Sequence, residues 1–362
     1  MLSTLQAHIK DAAARGAKLQ IQGQGSKAFY GGECSGELLD MRGFSGITSY
    51  EPSELVITAR AGTPIAELEQ ALAEQGQHLA FEPPRFGSQA GGGGTVGGML
   101  AAGLSGPARA SAGSVRDHVL GLTLLNGRAE AMNFGGTVMK NVAGYDVSRL
   151  VVGSLGVLGV ILEASIKVLP QPPATATLRF ELGQAAALQQ LHRWGGQPLP
   201  IHASAWWDGA LVLRLAGAQA AVQAALEKLG GEAIPEDLAA PFWRGLRDHD
   251  DEFFRGAARA VQGGARLWRV SVPPTAPELA LSGEQLVEWG GALRWVTTAL
   301  APAQLREAVA AVGGHATLFR ALDKSPGVFA PLSAPLARIH RGLKDAFDPQ
   351  RLFNPGRLYP DL

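Results

Sequence analysis

Cysteine is nearly absent: Cys34 stands alone among 362 residues. One thiol excludes an internal disulfide framework, a four-cysteine zinc site and an iron–sulfur ligand set. It reads as a structural thiol in a reducing compartment. Net charge is missing too. Lys plus Arg and Asp plus Glu both number 32, for a formal net charge of +0 at pH 7. That balance offers neither a nucleic-acid surface nor a polybasic membrane anchor, and it favours association with a partner. The longest apolar stretch, around residues 150–162, is broken by glycine and too short to span a bilayer. Gln6, Lys10 and Asp11 argue against a secretory signal. The expectation is a cytoplasmic protein, peripheral at the inner membrane only through partners. Histidines occur singly (His8, His78, His118, His192, His202, His249, His315, His340), with no His-x-His or His-Glu-x-x-His pair. No metal site is expected.

Glycine, by contrast, is abundant, at 47 residues. The densest run is Gly-Ser-Gln-Ala-Gly-Gly-Gly-Gly-Thr-Val-Gly-Gly-Met-Leu-Ala-Ala-Gly-Leu-Ser-Gly, residues 87–106. Glycine loses the most backbone freedom on folding, so such a run implies a place where a Cβ would obstruct. Backbone N–H groups facing phosphate oxygens, with a helix start behind them, would explain it. The run contains Gly-x-Gly-x-x-Gly at Gly92, Gly94 and Gly97. A Rossmann site needs a strand directly before it, and Phe81-Glu82-Pro83-Pro84-Arg85-Phe86 is a poor strand. No Gly-x-x-x-x-Gly-Lys-Ser/Thr loop occurs either.

Apolar spacing predicts a first helix through Leu5, Ile9, Ala12 and Ala13, capped by Ser3 or Thr4 and closed by Gly16. Leu19-Gln20-Ile21-Gln22 alternates as a strand and enters a second glycine loop, Gly23-Gln24-Gly25-Ser26-Lys27. That loop suits either a phosphate or an ordinary hairpin turn. Residues 55–60 read as a strand, followed by a helix that Pro64 opens with Ile65, Leu68 and Leu72 inside. Strands over 119–125 and 129–134 flank Asn126-Gly127, a hairpin signal. A third glycine-spaced stretch, residues 150–160, leads into a strand over 161–169. Pro170, Pro172 and Pro173 mark a boundary, and all seven tryptophans lie beyond it, between Trp194 and Trp295. The second segment reads as helices on a mainly antiparallel sheet, with strands over 211–215 and 267–272 and a helix over 218–229.

The order of these pieces resembles a known family. Gly23-Gln24-Gly25-Ser26, Glu82-Pro83-Pro84, Thr95-Val96-Gly97-Gly98, Ser105-Gly106-Pro107, Gly113-Ser114-Val115-Arg116-Asp117 and residues 153–160 follow the FAD-binding domain of the vanillyl-alcohol oxidase (PCMH-type) family over 1–170. Asp348-Pro349 and Asn354-Pro355-Gly356-Arg357 resemble the tail of its glycolate and D-lactate dehydrogenase branch. Residues 138–146 and 330–335 bring the chain close to the FAD-binding subunits of bacterial glycolate oxidases. The resemblance implies an α+β fold: two α/β subdomains around FAD (1–170), a cap with an antiparallel sheet (171–310) and a segment returning to the flavin (311–362). By carry-over, Gly23, Gln24, Gly25, Ser26, Lys27, Thr95, Val96, Gly97 and Gly98 hold the diphosphate. Pro83 belongs to the same set, and Ser105, Gly106, Ser114 and Asp117 line the ribityl and ring side. Gly159 and Val160 meet adenine, and Asn354 approaches the ring. Relatives with covalent FAD use a histidine in the first loop; Ser26 stands here, so non-covalent FAD is expected.

Two functions remain open. The chain is an FAD-binding subunit relaying electrons from glycolate toward an iron–sulfur subunit, beside a catalytic flavin subunit. Alternatively it is a self-sufficient 2-hydroxy-acid dehydrogenase, with His315 as base and Arg269, Arg294 or Arg320 clamping a carboxylate. A structural subunit that kept the fold without flavin is a third, weaker idea. The catalytic relatives carry a His-rich cap segment. The matching stretch here, residues 288–296, has no histidine and no acid after its glycines, which favours the relay.

Overall fold

The computed structural model describes residues 1–87, 93–137 and 145–362. Contacts divide the chain into two units: Met1–Leu104, Ser114–Pro170 and Pro331–Leu362 form one, Ser105–Gly113 and Gln171–Ala330 the other.

In the first unit the helix Leu2–Arg15 buries Leu5, Ile9 and Ala12 and stops at Gly16 in a left-handed cap, φ 67°. Met1 occupies the N-cap without a side-chain bond, so neither Ser3 nor Thr4 caps this helix. The strand Leu19–Gln22 pairs in parallel with Glu37–Asp40. A parallel partner needs a crossover, so the glycine loop between them is no hairpin turn. A five-stranded antiparallel sheet carries the core, in the order Ile47–Glu51, Val56–Arg60, Val160–Lys167, Val119–Leu125, Ala131–Gly135. Its central strand is buried on both faces, Val160 and Ile166 completely. The helix Ile65–Ala73 packs Ile65, Leu68 and Leu72 inward, with Pro64 at the N-cap rather than in the first turn. Asn126-Gly127 opens a longer turn than a two-residue hairpin. Asn126 Oδ1 accepts the N–H groups of Arg128 and Glu130, each at 2.9 Å, and Ala129 is left-handed at φ 60°.

The second unit is built on an eight-stranded antiparallel sheet. Its order is Glu232–Ile234, Ala174–Glu181, Ala210–Gly217, Ile201–Trp207, Glu284–Glu288, Leu293–Thr298, Arg266–Ser271, His315–Arg320. Trp268, Val270, Val296 and Leu318 pack with Leu305 and Val309 of the helix Pro302–Ala311. Trp194, Ala187 and Leu191 of the helix Gln184–Gly195 pack with Leu211 and Leu213. Two expected boundaries therefore move. Residues 311–330 supply the edge strand of this sheet, and only Pro331–Leu362 returns to the first unit. Ser105–Gly113 likewise belongs here, where Trp289 Nε1 donates to Gly106 O at 3.0 Å and holds it. Among the described residues no helix is long and apolar enough to cross a membrane, and no group of His, Cys, Asp and Glu is arranged to hold a metal ion.

Candidate cofactor site

A cleft of about 890 Å³, including its open mouth, lies within the first unit. Its walls are the strand end Gln20, Ile21 and Gln22, the loop Gly23-Gln24-Gly25-Ser26-Lys27, Gly94, Thr95, Gly97 and Gly98, Leu155, Gly156, Gly159 and Ile161, and the tail residues Asn354 and Arg357.

Two glycine loops meet face to face here, and their contact explains the glycines. A Cβ on Gly23 would overlap the Thr95 hydroxyl. On Gly94 it would stand 2.9 Å from both Lys27 Nζ and Ser26 Oγ, and on Gly97 it would stand 2.6 Å from Ala61 Cβ. The glycines admit the opposing loop and strand, where the sequence suggests only room for a ligand. The second loop also uses its own donors. Gly94 N–H donates to Gln24 Oε1 at 2.8 Å, Val96 N–H to Thr63 O at 2.9 Å and Gly97 N–H to Ala61 O at 2.8 Å. Thr95 Oγ1 accepts from Gly98 N–H at 3.3 Å and caps the helix Val96–Ala102. Residues 94–98 thus brace the cleft with bonds made inside the protein. The side chains suited to an anion belong to the first loop, the Lys27 ammonium and the Ser26 hydroxyl.

The tail forms another wall. Lys344, fully buried, donates to Val157 O at 2.7 Å, Asp348 Oδ2 at 2.9 Å and Phe353 O at 3.0 Å. Asp348 accepts the N–H groups of Leu352 and Phe353 at 2.9 and 2.8 Å. Desolvation pulls the Lys344 ammonium below its ordinary range, against the pull of Asp348. So held, Asn354 takes a left-handed conformation, φ 42°, that suits asparagine. Its Oδ1 accepts Ile21 N–H at 2.8 Å and its Nδ2 donates to Leu155 O at 2.7 Å, joining two walls of the cleft. Cys34 is half-buried beside it, Sγ 3.9 Å from Asn354 Oδ1. Burial pushes that thiol up, with Arg357 and Lys344 opposing.

These residues fit an anionic dinucleotide. A cation and a hydroxyl sit among close-packed glycines, and Ile21, Met41, Leu155 and Ile161 supply an apolar slot for a ring. Residues 2–135 match the family model described as "FAD binding domain". Over 344 residues the chain is 49% identical to the glycolate oxidase subunit GlcE of Escherichia coli (strain K12), covering 95% of this chain and 93% of that protein. The chain belongs to the family of that glycolate oxidase subunit. It is 32% identical to the glycolate oxidase subunit GlcD of Bacillus subtilis (strain 168) over 41% of this chain and 31% of that one. The solved structure of an alkyldihydroxyacetonephosphate synthase shares its fold, with a TM-score of 0.62 at 17% identity over 97% of this chain and 75% of that one. The cofactor of this oxidoreductase family is FAD.

Within this family member, the cleft gathers Gly23, Gln24, Gly25, Ser26, Lys27, Thr95, Gly97, Gly98, Gly159 and Asn354. Val96 and Val160 are fully buried neighbours, and Pro83 is buried outside the lining. Ser105 and Gly106 belong to the second unit. Ser114 and Asp117 form a capping box on the one-turn helix Val115–His118, where Asp117 Oδ2 accepts from Ser114 Oγ at 2.7 Å and Ser114 N–H at 2.8 Å. Burial raises the Asp117 pKa, but those bonds, with Arg149 and His118, outweigh it and hold the carboxyl below its ordinary value. His315 starts an edge strand of the second unit, exposed and outside this lining. Desolvation and then Arg269 lower its pKa. Arg294 is no carboxylate clamp: fully buried, it donates to the carbonyls of Gly291, Pro277 and Ala276, each at 2.9 Å. Gly92 and residues 138–144 lie outside the described residues. Sequence reasoning passed over the lining residue Arg357, whose only signal is its place at the end of Asn-Pro-Gly-Arg.

Proposed function

We propose that the chain is the FAD-binding subunit of a glycolate oxidase complex, relaying electrons from glycolate oxidation to glyoxylate toward an iron–sulfur subunit, beside a catalytic flavin subunit. The observation that carries this is the 49% identity to a glycolate oxidase subunit over nearly the whole of both chains. Residues 23–27 hold the diphosphate, with Lys27 as the cation and Ser26 as a donor. Thr95, Val96, Gly97 and Gly98 keep that loop in place. Gly159 and Val160 lie at the adenine side. Pro83, Ser114, Asp117 and Asn354 complete the set around the rest of the cofactor. Bound FAD supplies the electron-accepting and electron-donating chemistry. The cofactor is held without a covalent bond, since no histidine lines the cleft among the described residues and the Cys34 thiol is held protonated by burial.

The segment Glu284–Glu288 through Leu293–Thr298 favours a relay over a dehydrogenase. It buries Leu293 and Trp295 in the sheet and Trp289 in the turn between its two strands, and it brings no histidine. Removing hydride from a 2-hydroxy acid needs a base or metal within reach of the hydroxyl proton. The purified chain should be yellow and should release its flavin on acid precipitation. Mixed anaerobically with glycolate or D-lactate, the isolated chain should bleach slowly or not at all. A colourless chain that FAD does not protect against heat sinks the cofactor assignment. Fast bleaching abolished by His315→Ala would instead make it a dehydrogenase in its own right.

A further inference from the structure

The tail does more than border the cleft. Arg357 reaches residues about 330 positions earlier in the sequence, donating from Nη2 to Lys27 O at 3.0 Å and Ala28 O at 2.8 Å, and from Nη1 to Gly32 O at 3.2 Å. The contact runs both ways, because Gly32 N–H donates to Arg357 O at 2.8 Å. Gly31 and Gly32 make the approach possible. A Cβ on Gly31, itself at φ +91°, would stand 2.8 Å from Arg357 O, and one on Gly32 would overlap Gly356 O. Asn354 N–H donates to Leu19 O at 2.9 Å and Leu19 N–H to Leu352 O at 2.8 Å, so the tail is fixed against the strand that feeds the same loop.

We propose that Arg357 is a positioning residue for the dinucleotide. Its planar fork turns the Lys27 and Ala28 carbonyls toward the tail and so sets the orientation of the loop that carries Ser26 and Lys27. A carbonyl turned toward the cleft would oppose a diphosphate, while a guanidinium held at the wall adds a favourable field. The first loop is therefore complete only after the last residues of the chain have docked. Lysine keeps the charge but lacks the fork that spans carbonyls on both sides of the loop.

The inference rests on the FAD reading above, and its test separates the two. FAD titrations of the full-length apoprotein are compared with hydrogen exchange on the same protein without cofactor. Arg357→Ala should weaken FAD binding about 10- to 100-fold, as expected for lost charge-assisted bonds. It should also speed exchange in residues 25–32 of the empty chain while leaving Val160–Lys167 protected. Arg357→Lys should fall between, and millimolar ethylguanidinium should partly restore binding in Arg357→Ala. Gly32→Ala, which keeps the guanidinium but pushes the tail away, should weaken FAD as well. Unchanged affinity and exchange in Arg357→Ala or Gly32→Ala overturn the proposal. So does lost binding with exchange raised across the whole first unit and no rescue by ethylguanidinium. If the unaltered chain binds no FAD, the cofactor reading fails by itself, and the exchange of the empty variants still decides whether Arg357 orders the loop.

Discussion

Asp251 caps the helix Glu252–Gln262 by accepting Phe254 N–H at 2.9 Å. The same position half-buries it. Desolvation raises its pKa from 3.8 to about 6, against the Phe254 hydrogen bond and Arg255, while Asp250 and Glu252 add to the rise. Between those values the folded chain keeps a proton that the unfolded chain has released. Stability from this group is therefore complete below pH 3.8 and is lost as pH rises to about 6. Asparagine keeps the cap without titrating. The stability of the unaltered chain relative to Asp251→Asn should fall by about 2–3 kcal/mol between pH 4 and 7. Urea unfolding across that range measures it, and a flat difference would mean that Asp251 titrates normally. Single residues also show what sequence reading confuses. Gly23 and Gly97 are visible as glycines, but the atoms that demand them, on Thr95 and Ala61, come from elsewhere in the chain.

At the scale of elements, the helix Ala334–Phe347 is unusual in what it buries. Leu336 and Ile339 are exposed, and its one fully buried side chain is Lys344. That a lysine anchors this helix leaves no mark in its apolar spacing. The anchor is an i, i+4 pair with Asp348 whose remaining valences hold Val157 O and the backbone of 352–353. Lys344→Met leaves Asp348 buried without its cation. It should cost about 3–5 kcal/mol in the apoprotein by urea unfolding. A loss below about 1 kcal/mol would mean that the tail docks without the pair. The strand Leu19–Gln22 was readable from alternation, whereas its parallel partner and the tail beside it were not, because pairing across long separations leaves no local trace.

The whole chain has a formal net charge of +0, and it belongs to the family of a protein named as a subunit. Weak self-repulsion lowers the barrier to assembly. Co-expression with a second flavin subunit and an iron–sulfur subunit, followed by pull-down at low salt, should recover a stable complex. A lone monomer under those conditions would count against the relay, since electrons on a flavin need an exit.

Much of this protein was determined by local sequence alone. Alternation and helical spacing placed the strands and helices around Leu5, Leu19, Val56, Ile65, Val119 and Val160, because side-chain direction repeats with backbone geometry. The clustering of tryptophan beyond residue 170 separated an aromatic-cored unit from a glycine-rich one. The order of glycine loops, through its resemblance to a known family, pointed to a flavin domain. Tertiary structure alone decided that 105–113 belongs to the second unit, that 311–362 divides at Pro331, and that the second glycine loop engages its own donors. It also decided that Arg357 and Asn354 complete a cleft begun more than 300 residues earlier. The reason is physical. Propensity and periodicity act over a turn or a strand, whereas the close approach of two backbones and the burial of a charge depend on which distant segments meet, and only the folded chain brings them together.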